Sequence, residues 1–303
     1  MLAELEPLAT TPSIYGFVVV LGLLWGSFAN VCIYRWPPTE AFPNGRSVVR
    51  PGSHCFACQA PIRWYDNVPL LAWLWLRGRC RACRAPFSPR YLVVEAATAA
   101  LFAVAWWVAV VAPVLFEPFD QRLLHFAVYA AFCFVMIVIT FIDLDHKLIL
   151  NKITIPSIVI FYAASFLWPD RRWYDGLVGA AVGYGLPWAI GEIYFRVTKR
   201  EGLGLGDGML LALVGALLGW RGVLVALFGG SMIGSVIGIS ALLVGRTTGG
   251  EDATEAEPTP GAGEDNPSLL RTELPFGPFL AMAALFYLFA EPWIQLHFHL
   301  PGG

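Results

Sequence analysis

The sequence predicts an all-α polytopic membrane protein of about eight transmembrane helices, with one small zinc-stapled cytoplasmic loop module. Three observations predict it. Hydrophobic residues fill 57% of the 303 positions and charged residues only 14%, whereas a soluble domain carries roughly 25% charged residues. The mean hydropathy is +0.62, and apolar runs near the ~20 residues that span a bilayer as a helix recur along the chain. Four of the six cysteines fall in the one long polar loop, as two C-x-x-C pairs.

The elements follow in order. Residues 1–35 carry the first transmembrane helix, a span at 14–34. Residues 1–13 contain Glu4 and Glu6 but no Lys or Arg, so the basic start of a cleaved signal peptide is missing and the span is expected to be kept. Residues 36–90 form the loop module, too short for a core of its own and in need of a staple. Residues 91–245 form the transmembrane core, with spans at 91–113, 123–142, 153–169, 175–195, 208–220 and 222–244. The sixth is short, which leaves open one span plus a re-entrant piece over 208–244. Residues 246–275 form an acidic cytoplasmic loop; 251–268 is rich in Pro and Gly, has no aromatic residue, and is expected to be disordered. Residues 276–303 hold the last helix, spanning 276–296, and the C-terminus.

Glycines four apart (Gly179 and Gly183, Gly215 and Gly219, Gly230, Gly234 and Gly238) let membrane helices approach closely. Pro156 and Pro187 lie in or at the start of spans, where kinks are tolerated. Glu192 has Arg196 one turn on, as a helix pair requires. No repeat of 20–50 residues is evident.

Charge sets the orientation. Arg35, Arg46, Arg50, Arg63, Arg77, Arg79, Arg81, Arg84 and Arg90 crowd the first loop and its edges. Lys147, Lys152, Arg196, Lys199 and Arg200 fall on the same side if the spans alternate, against Arg122, Arg171, Arg172 and Arg221 opposite. Lys and Arg favour the cytoplasm, so the first loop and the turns at Asp143 and Asp207 are expected there, with both termini outside. The net charge of −2 hides this segregation. Anionic membrane lipids suit the arginines, and no nucleic-acid partner is expected.

Cys55-Phe-Ala-Cys58 and Cys80-Arg-Ala-Cys83 stand 21 residues apart, a spacing that suits one tetrahedral zinc ion held by four thiolates. Four sulfur ligands leave no open position for water, so the metal is structural. Disulfides do not persist in the cytoplasm. Cys32 and Cys133 lie within spans and read as small buried apolar residues.

Ionisable groups at the ends of apolar spans are costly and need a reason. One cluster is Ile142-Asp143-Leu144-Asp145-His146; the other is Gly202-Leu203-Gly204-Leu205-Gly206-Asp207. Residues two apart on a helix point about 200° from one another. Asp143 is therefore expected to face the bundle and Asp145 the water. Gly204 and Gly206 allow a backbone, such as a substrate strand, to approach closely. Asp143 and Asp207 could meet and share a proton, the chemistry of an aspartic protease, or Asp207 could merely cap a helix. Glu95 and Glu291 are assigned no catalytic role.

With these residues in place, the chain resembles the type IV prepilin peptidases of pilus and type II secretion systems. The resemblance runs over nearly the whole chain: Gly26-Ser27-Phe28-Ala29-Asn30-Val31 with Arg35 and Pro37; the two cysteine pairs; Asp66-Asn67-Val68-Pro69-Leu70-Leu71; Ser88-Pro89-Arg90-Tyr91 with Glu95; Ile142-Asp143-Leu144-Asp145; and Gly204-Leu205-Gly206-Asp207. It implies a bifunctional enzyme of the bacterial inner membrane. Such an enzyme cuts prepilins and pseudopilins after a glycine at the cytoplasmic face, then N-methylates the new N-terminal residue with S-adenosylmethionine. By motif, the catalytic pair falls on Asp143 and Asp207, with Asp145 in support, and zinc on Cys55, Cys58, Cys80 and Cys83.

Two positions depart from the pattern: Met209 replaces a usual Lys, and Leu150-Asn151 replace a frequent Pro. The sequence has no G-x-G-x-x-G after a strand, so the methyl donor needs a different kind of site. The region of 36–90 and the cytoplasmic helix ends is expected to supply it, with Gly26, Asn30 and Arg35 as candidates by resemblance alone. Three rivals remain. A proton-coupled transporter would predict inverted repeats. A non-catalytic pilus-assembly scaffold would tolerate loss of both aspartates. A presenilin-like protease would carry Tyr-Asp where Ile142-Asp143 stands.

Overall fold

A computed structural model describes residues 2–113, 117–168, 171–199, 204–248 and 275–298. Most of the acidic loop expected over 246–275, Gly202 and the last five residues lie outside the described residues. The described chain is helical and contains no strand. Its helices are α1 (Pro12–Arg35), α2 (Leu71–Trp75), α3 (Arg90–Trp106, continued by a π turn over Trp107–Val111), α4 (Phe119–His146), α5 (Asn151–Ser165), α6 (Trp173–Thr198), α7 (Leu205–Thr248) and α8 (Gly277–Phe298).

Five stretches among the described residues are long and apolar enough to cross a membrane: Pro12–Arg35, Arg90–Val111, Phe119–His146, Leu205–Ser240 and Gly277–Ile294. The protein is thus a multi-pass membrane protein. α5, with 15 residues, is about 22 Å long, short of a full hydrocarbon core.

α7 is two arms, not one rod. Gly219 breaks it with φ 68° and ψ −176°, a conformation open to glycine and strained for any other residue. Before the break, Gly183 meets Leu211 and Gly176 meets Ala216, so the first arm runs antiparallel to α6. After it, Gly222 meets Tyr287 and Gly234 meets Phe279, so the second arm runs antiparallel to α8. The start of α8 touches the end of α4 beside Asp207. The arms therefore fold back on one another, and the short apolar run at 208–220 pairs with 222–244 as a hairpin.

Close packing of backbones makes this possible. A Cβ on Gly179 would stand 2.2 Å from the carbonyl oxygen of Gly215, and one on Gly215 only 2.1 Å from that of Gly179. Leu210, Leu211, Leu213, Leu217 and Leu218 of the first arm are fully buried, as expected of a central helix that is apolar all round. Cys32 and Cys133 are buried in the same core.

The end of the bundle away from the aspartates is tied by side-chain pairs, of which Arg171–Glu291 is buried on both sides and Arg122–Glu6 is buried only at the arginine. Arg171 donates to both oxygens of Glu291 at 2.8 and 2.9 Å, Arg122 pairs with Glu6, and His125 meets Glu117 at 2.8 Å while stacking on Trp168. Paired in this way, charges can be kept out of water. Glu192 and Arg196 form the expected helix pair at 2.8 Å.

The module between α1 and α3 contains a repeat that the sequence analysis passes over. Cys55-Phe-Ala-Cys58-Gln-Ala-Pro61 and Cys80-Arg-Ala-Cys83-Arg-Ala-Pro86 are copies 25 positions apart. They adopt one turn. Cys55 donates its N–H to Ala60 and Cys80 its own to Ala85, at 2.9 and 2.8 Å. Gln59 and Arg84 both take positive φ, 57° and 62°. A unit this short hides inside a much longer loop, so a scan for periodic segments misses it.

Candidate active site and metal centre

α4 delivers its last turn to the bundle end in the orientation that helix geometry predicts. Asp143 is buried, with 5% of its surface exposed, whereas Asp145 is exposed. Asp143 Oδ2 accepts the backbone N–H of Gly277 at 3.0 Å. Gly277 opens α8 and Pro278 follows it, a favoured first-turn residue because its missing N–H is not needed there. The N-terminus of α8 thus points at the Asp143 carboxyl. A side chain on Gly277 would collide with it, since a Cβ would stand 2.6 Å from Oδ2.

Asp207 lies inside the first turn of α7, and its N–H donates to Gly204 at 3.1 Å. It is therefore not a helix cap. It is half-buried and near enough to Asp143 for the two carboxyls to interact electrostatically. Gly204 and Gly206 do not take positive φ. Gly206 is helical, and its lack of a side chain admits Ile149, 3.1 Å from the position of a Cβ. The expected strand-binding edge at 204–206 is in this respect a close helix–loop contact. A cavity of about 330 Å³ adjoins it, lined by Lys147, Ile149, Tyr184, Leu205, Gly206 and Met209.

Asp145 turns outward to pair with Arg90 at the start of α3. Arg90 also donates to the carbonyl of Phe141 at 2.7 Å and lies over its ring. This clamp fixes the end of α4 that carries Asp143.

The four cysteines of the module come together, every Sγ within 4.8 Å of the others. Cys55 and Cys83 are 3.7 Å apart, and Cys58 and Cys80 4.0 Å. A tetrahedron with Zn–S bonds of about 2.3 Å has edges of about 3.8 Å, so the quartet fits a zinc ion. The backbone N–H of Cys58, then that of Ala57, hydrogen-bonds Cys55 Sγ and lowers its thiol to about 6. Nearby, the Arg81 guanidinium grips both oxygens of Asp66 and holds that carboxyl below its ordinary range. His54 Nδ1 faces the Gly52 carbonyl at 3.0 Å.

A cavity of about 720 Å³ opens between the module and the ends of α1 and α3. Asn30 and Arg35 line it, each held by backbone carbonyls: Asn30 by Tyr91 at 3.1 Å, Arg35 by Ser47 at 3.0 Å and Gly52 at 3.3 Å. Gly26 is a packing residue, with no room for a Cβ beside Glu95. Gly277 carries only one signal in the sequence, Gly-Pro at the head of an apolar span, and nothing in the sequence marks Arg90 as the partner of Asp145.

The fold and this site define a class, a multi-pass helical membrane protein with two acidic side chains brought together at one end of its bundle. The family model described as Bacterial Peptidase A24 N-terminal domain matches residues 20–109, and that of the Type IV leader peptidase family matches residues 130–239. The chain belongs to the type IV leader peptidase family. It is similar to the "Prepilin leader peptidase/N-methyltransferase" of Myxococcus xanthus (strain DK1622), 34% identical with 92% of this chain and 91% of the relative covered. The proteins of that name from Stutzerimonas stutzeri (31%, 93% of each chain) and Klebsiella pneumoniae (35%, 70% of this chain and 89% of the relative) are also similar. No solved structure matches the chain.

Proposed function

We propose that this protein cleaves the leader from type IV prepilins and pseudopilins, then methylates the new N-terminal amine, at the cytoplasmic face of a bacterial inner membrane. The observation that carries the reading is the meeting of Asp143 and Asp207 from separate helices at one end of an apolar bundle. A transporter or scaffold gives no reason for a chain that has both that pair and a cysteine quartet. The Lys and Arg asymmetry supports the cytoplasmic side. We read α5, α6 and both arms of α7 as crossings too, which makes eight.

Cleavage needs a base, an acid and a held carbonyl. Asp143, which accepts the Gly277 N–H at a helix N-terminus, is placed to carry negative charge and to take a proton from water as that water attacks the scissile carbonyl. Asp207, in its protonated form, hydrogen-bonds the carbonyl oxygen and gives up its proton. The leaving amine takes a proton as the C–N bond breaks. No covalent enzyme intermediate is required. Asp145 acts through Arg90 by positioning the end of α4, and the cavity beside Gly206 offers room for substrate backbone. Membrane lipids surround the helices and meet the arginines of the module.

Cys55, Cys58, Cys80 and Cys83 would hold a structural zinc. S-adenosylmethionine, when bound, would supply a methyl cation equivalent to the amine. The large cavity between the module, α1 and α3 suits it in size and in its mixture of aromatic and charged walls. The test is direct: purified protein is mixed with S-adenosylmethionine and a prepilin bearing a Gly-Phe junction, and the product is read by mass spectrometry. Loss of the leader plus one methyl supports the reading. An intact substrate with wild type overturns it, and cleavage by Asp207→Asn overturns the role of that aspartate.

A further inference from the structure

The large cavity has a carboxylate in its wall that no cation balances. Glu95, on the second turn of α3, is 8% exposed. Its Oε2 accepts the N–H of Leu70 at 2.8 Å, and the Ser27 hydroxyl also reaches it. Among the described residues, no Lys or Arg pairs with it. A buried carboxylate without a counter-charge is expensive. Leu70, which supplies the N–H, sits at φ 57° and ψ −53°, a costly conformation for a residue with a side chain. Strain of that kind concentrates where a site is held ready.

The rest of the lining is complementary. Arg46 and Arg79 line the same cavity without a carboxylate partner among the described residues. Trp73, another lining residue, buries its Nε1 with no acceptor among the described residues. The cavity thus offers an anionic patch and a cationic patch to one ligand, with Trp73 in its wall. S-adenosylmethionine carries a sulfonium that is positive at every pH, a carboxylate, and an adenosine rich in acceptors.

We propose that Glu95 recognises the sulfonium of S-adenosylmethionine and makes this cavity prefer the methyl donor to its spent product. The inference rests on the methyl-transfer reading above. In the transfer, the lone pair of the new N-terminal amine forms the N–C bond. The S–C bond breaks with its electron pair returning to sulfur, and the surplus proton leaves nitrogen for water. The sulfonium becomes a neutral thioether, so the attraction to Glu95 ends when the methyl group has gone. The product S-adenosylhomocysteine is then released and the donor rebinds. Glu95 thereby gains a binding role that the sequence alone did not assign.

The test is titration of the full-length zinc-loaded protein with S-adenosylmethionine and, separately, S-adenosylhomocysteine, read by calorimetry and tryptophan fluorescence. Wild type should bind the donor more tightly. Glu95→Gln keeps an oxygen for the Leu70 N–H but removes the charge. It should weaken donor binding about tenfold or more, while S-adenosylhomocysteine changes by no more than about twofold. Zinc content and the thermal midpoint report folding. Should Glu95→Gln lose its zinc, Glu95→Asp, which keeps the charge, must retain the preference for the donor. Equal weakening of both ligands would assign Glu95 to a group they share and overturn the proposal, as would an unchanged preference in Glu95→Gln. Failure of wild type to bind either ligand would overturn the methyl-transfer reading itself.

Discussion

Asp143 Oδ2 accepts the backbone N–H of Gly277 at 3.0 Å, and a Cβ on Gly277 would stand 2.6 Å from that same oxygen. One residue of the last helix therefore both supplies the contact and leaves the room for it. The contact joins the last turn of α4 to the first turn of α8, 134 positions apart. On the reading proposed above, it brings the last helix into the site.

Gly277→Ala should therefore depress cleavage far more than a Gly-to-Ala change at a helix start depresses stability. The methyl group must displace either the Asp143 carboxyl or the start of α8. A misplacement of about 1 Å at a reacting group can cost roughly a hundredfold in rate, so a fall of about ten- to a hundredfold is expected. Initial rates on a prepilin peptide measure it, with the thermal midpoint shifting by only a few degrees. Cleavage at the wild-type rate would remove Gly277 from the site.

Asp143→Asn and Asp207→Asn should each abolish cleavage, and the double variant should be no worse than either single one. Residues that act as a unit are strongly non-additive. A fall of about 10³-fold or more is expected for each. Losses that multiply in the double variant would mean that the two carboxyls act independently.

The elements legible in the sequence are those that follow from period and polarity. A 200° separation on a helix put Asp143 inward and Asp145 outward, as found. Cysteine spacing alone brought four thiols together. What stayed illegible depends on contacts between distant segments. Gly277 lies next to Asp143 only because the arms of α7 reverse at Gly219 and return the chain to the same end. Gly204 and Gly206 signalled a close approach, but not that a residue of this chain, Ile149, is what approaches the helical Gly206. Glu95 looked like one more acid near a span, and only the packing of α1, α3 and the module shows that it lines a cavity.

The clamp between α3 and α4 makes a prediction about order. Arg90 holds both the Asp145 carboxyl and the Phe141 carbonyl, whereas Asp145 pairs with Arg90 alone among the described residues. Both side chains are about a third exposed, at 32%, so the ion pair itself is worth only about 0.2–1 kcal/mol. Arg90→Ala should thus lower the thermal midpoint and the cleavage rate more than Asp145→Asn. The reverse order would mean that Asp145 acts on the chemistry directly and not through Arg90.

Zinc removal should unfold the module and leave the apolar bundle intact. The two cysteine turns have almost no core between them, so metal binding supplies the folding energy. Thiols must shed protons to bind zinc, and Cys55 is prepared for this by the N–H groups of Cys58 and Ala57, which lower its thiol from 9.0 to about 6. A lowered value means that these hydrogen bonds stabilise the fold fully above about 9 and lose that contribution as the pH falls through about 6. Metal content should be one zinc per chain at neutral pH and should fall on acidification, as protons compete with the metal for the four thiolates. Cys58→Ser or a strong chelator should abolish it at any pH, and with it the fluorescence response to S-adenosylmethionine. Circular dichroism should meanwhile retain most of the helix signal, because the bundle residues make no contact with the metal. A chain that binds no zinc yet keeps a protease-resistant module would show that the cysteine quartet is held by its own packing.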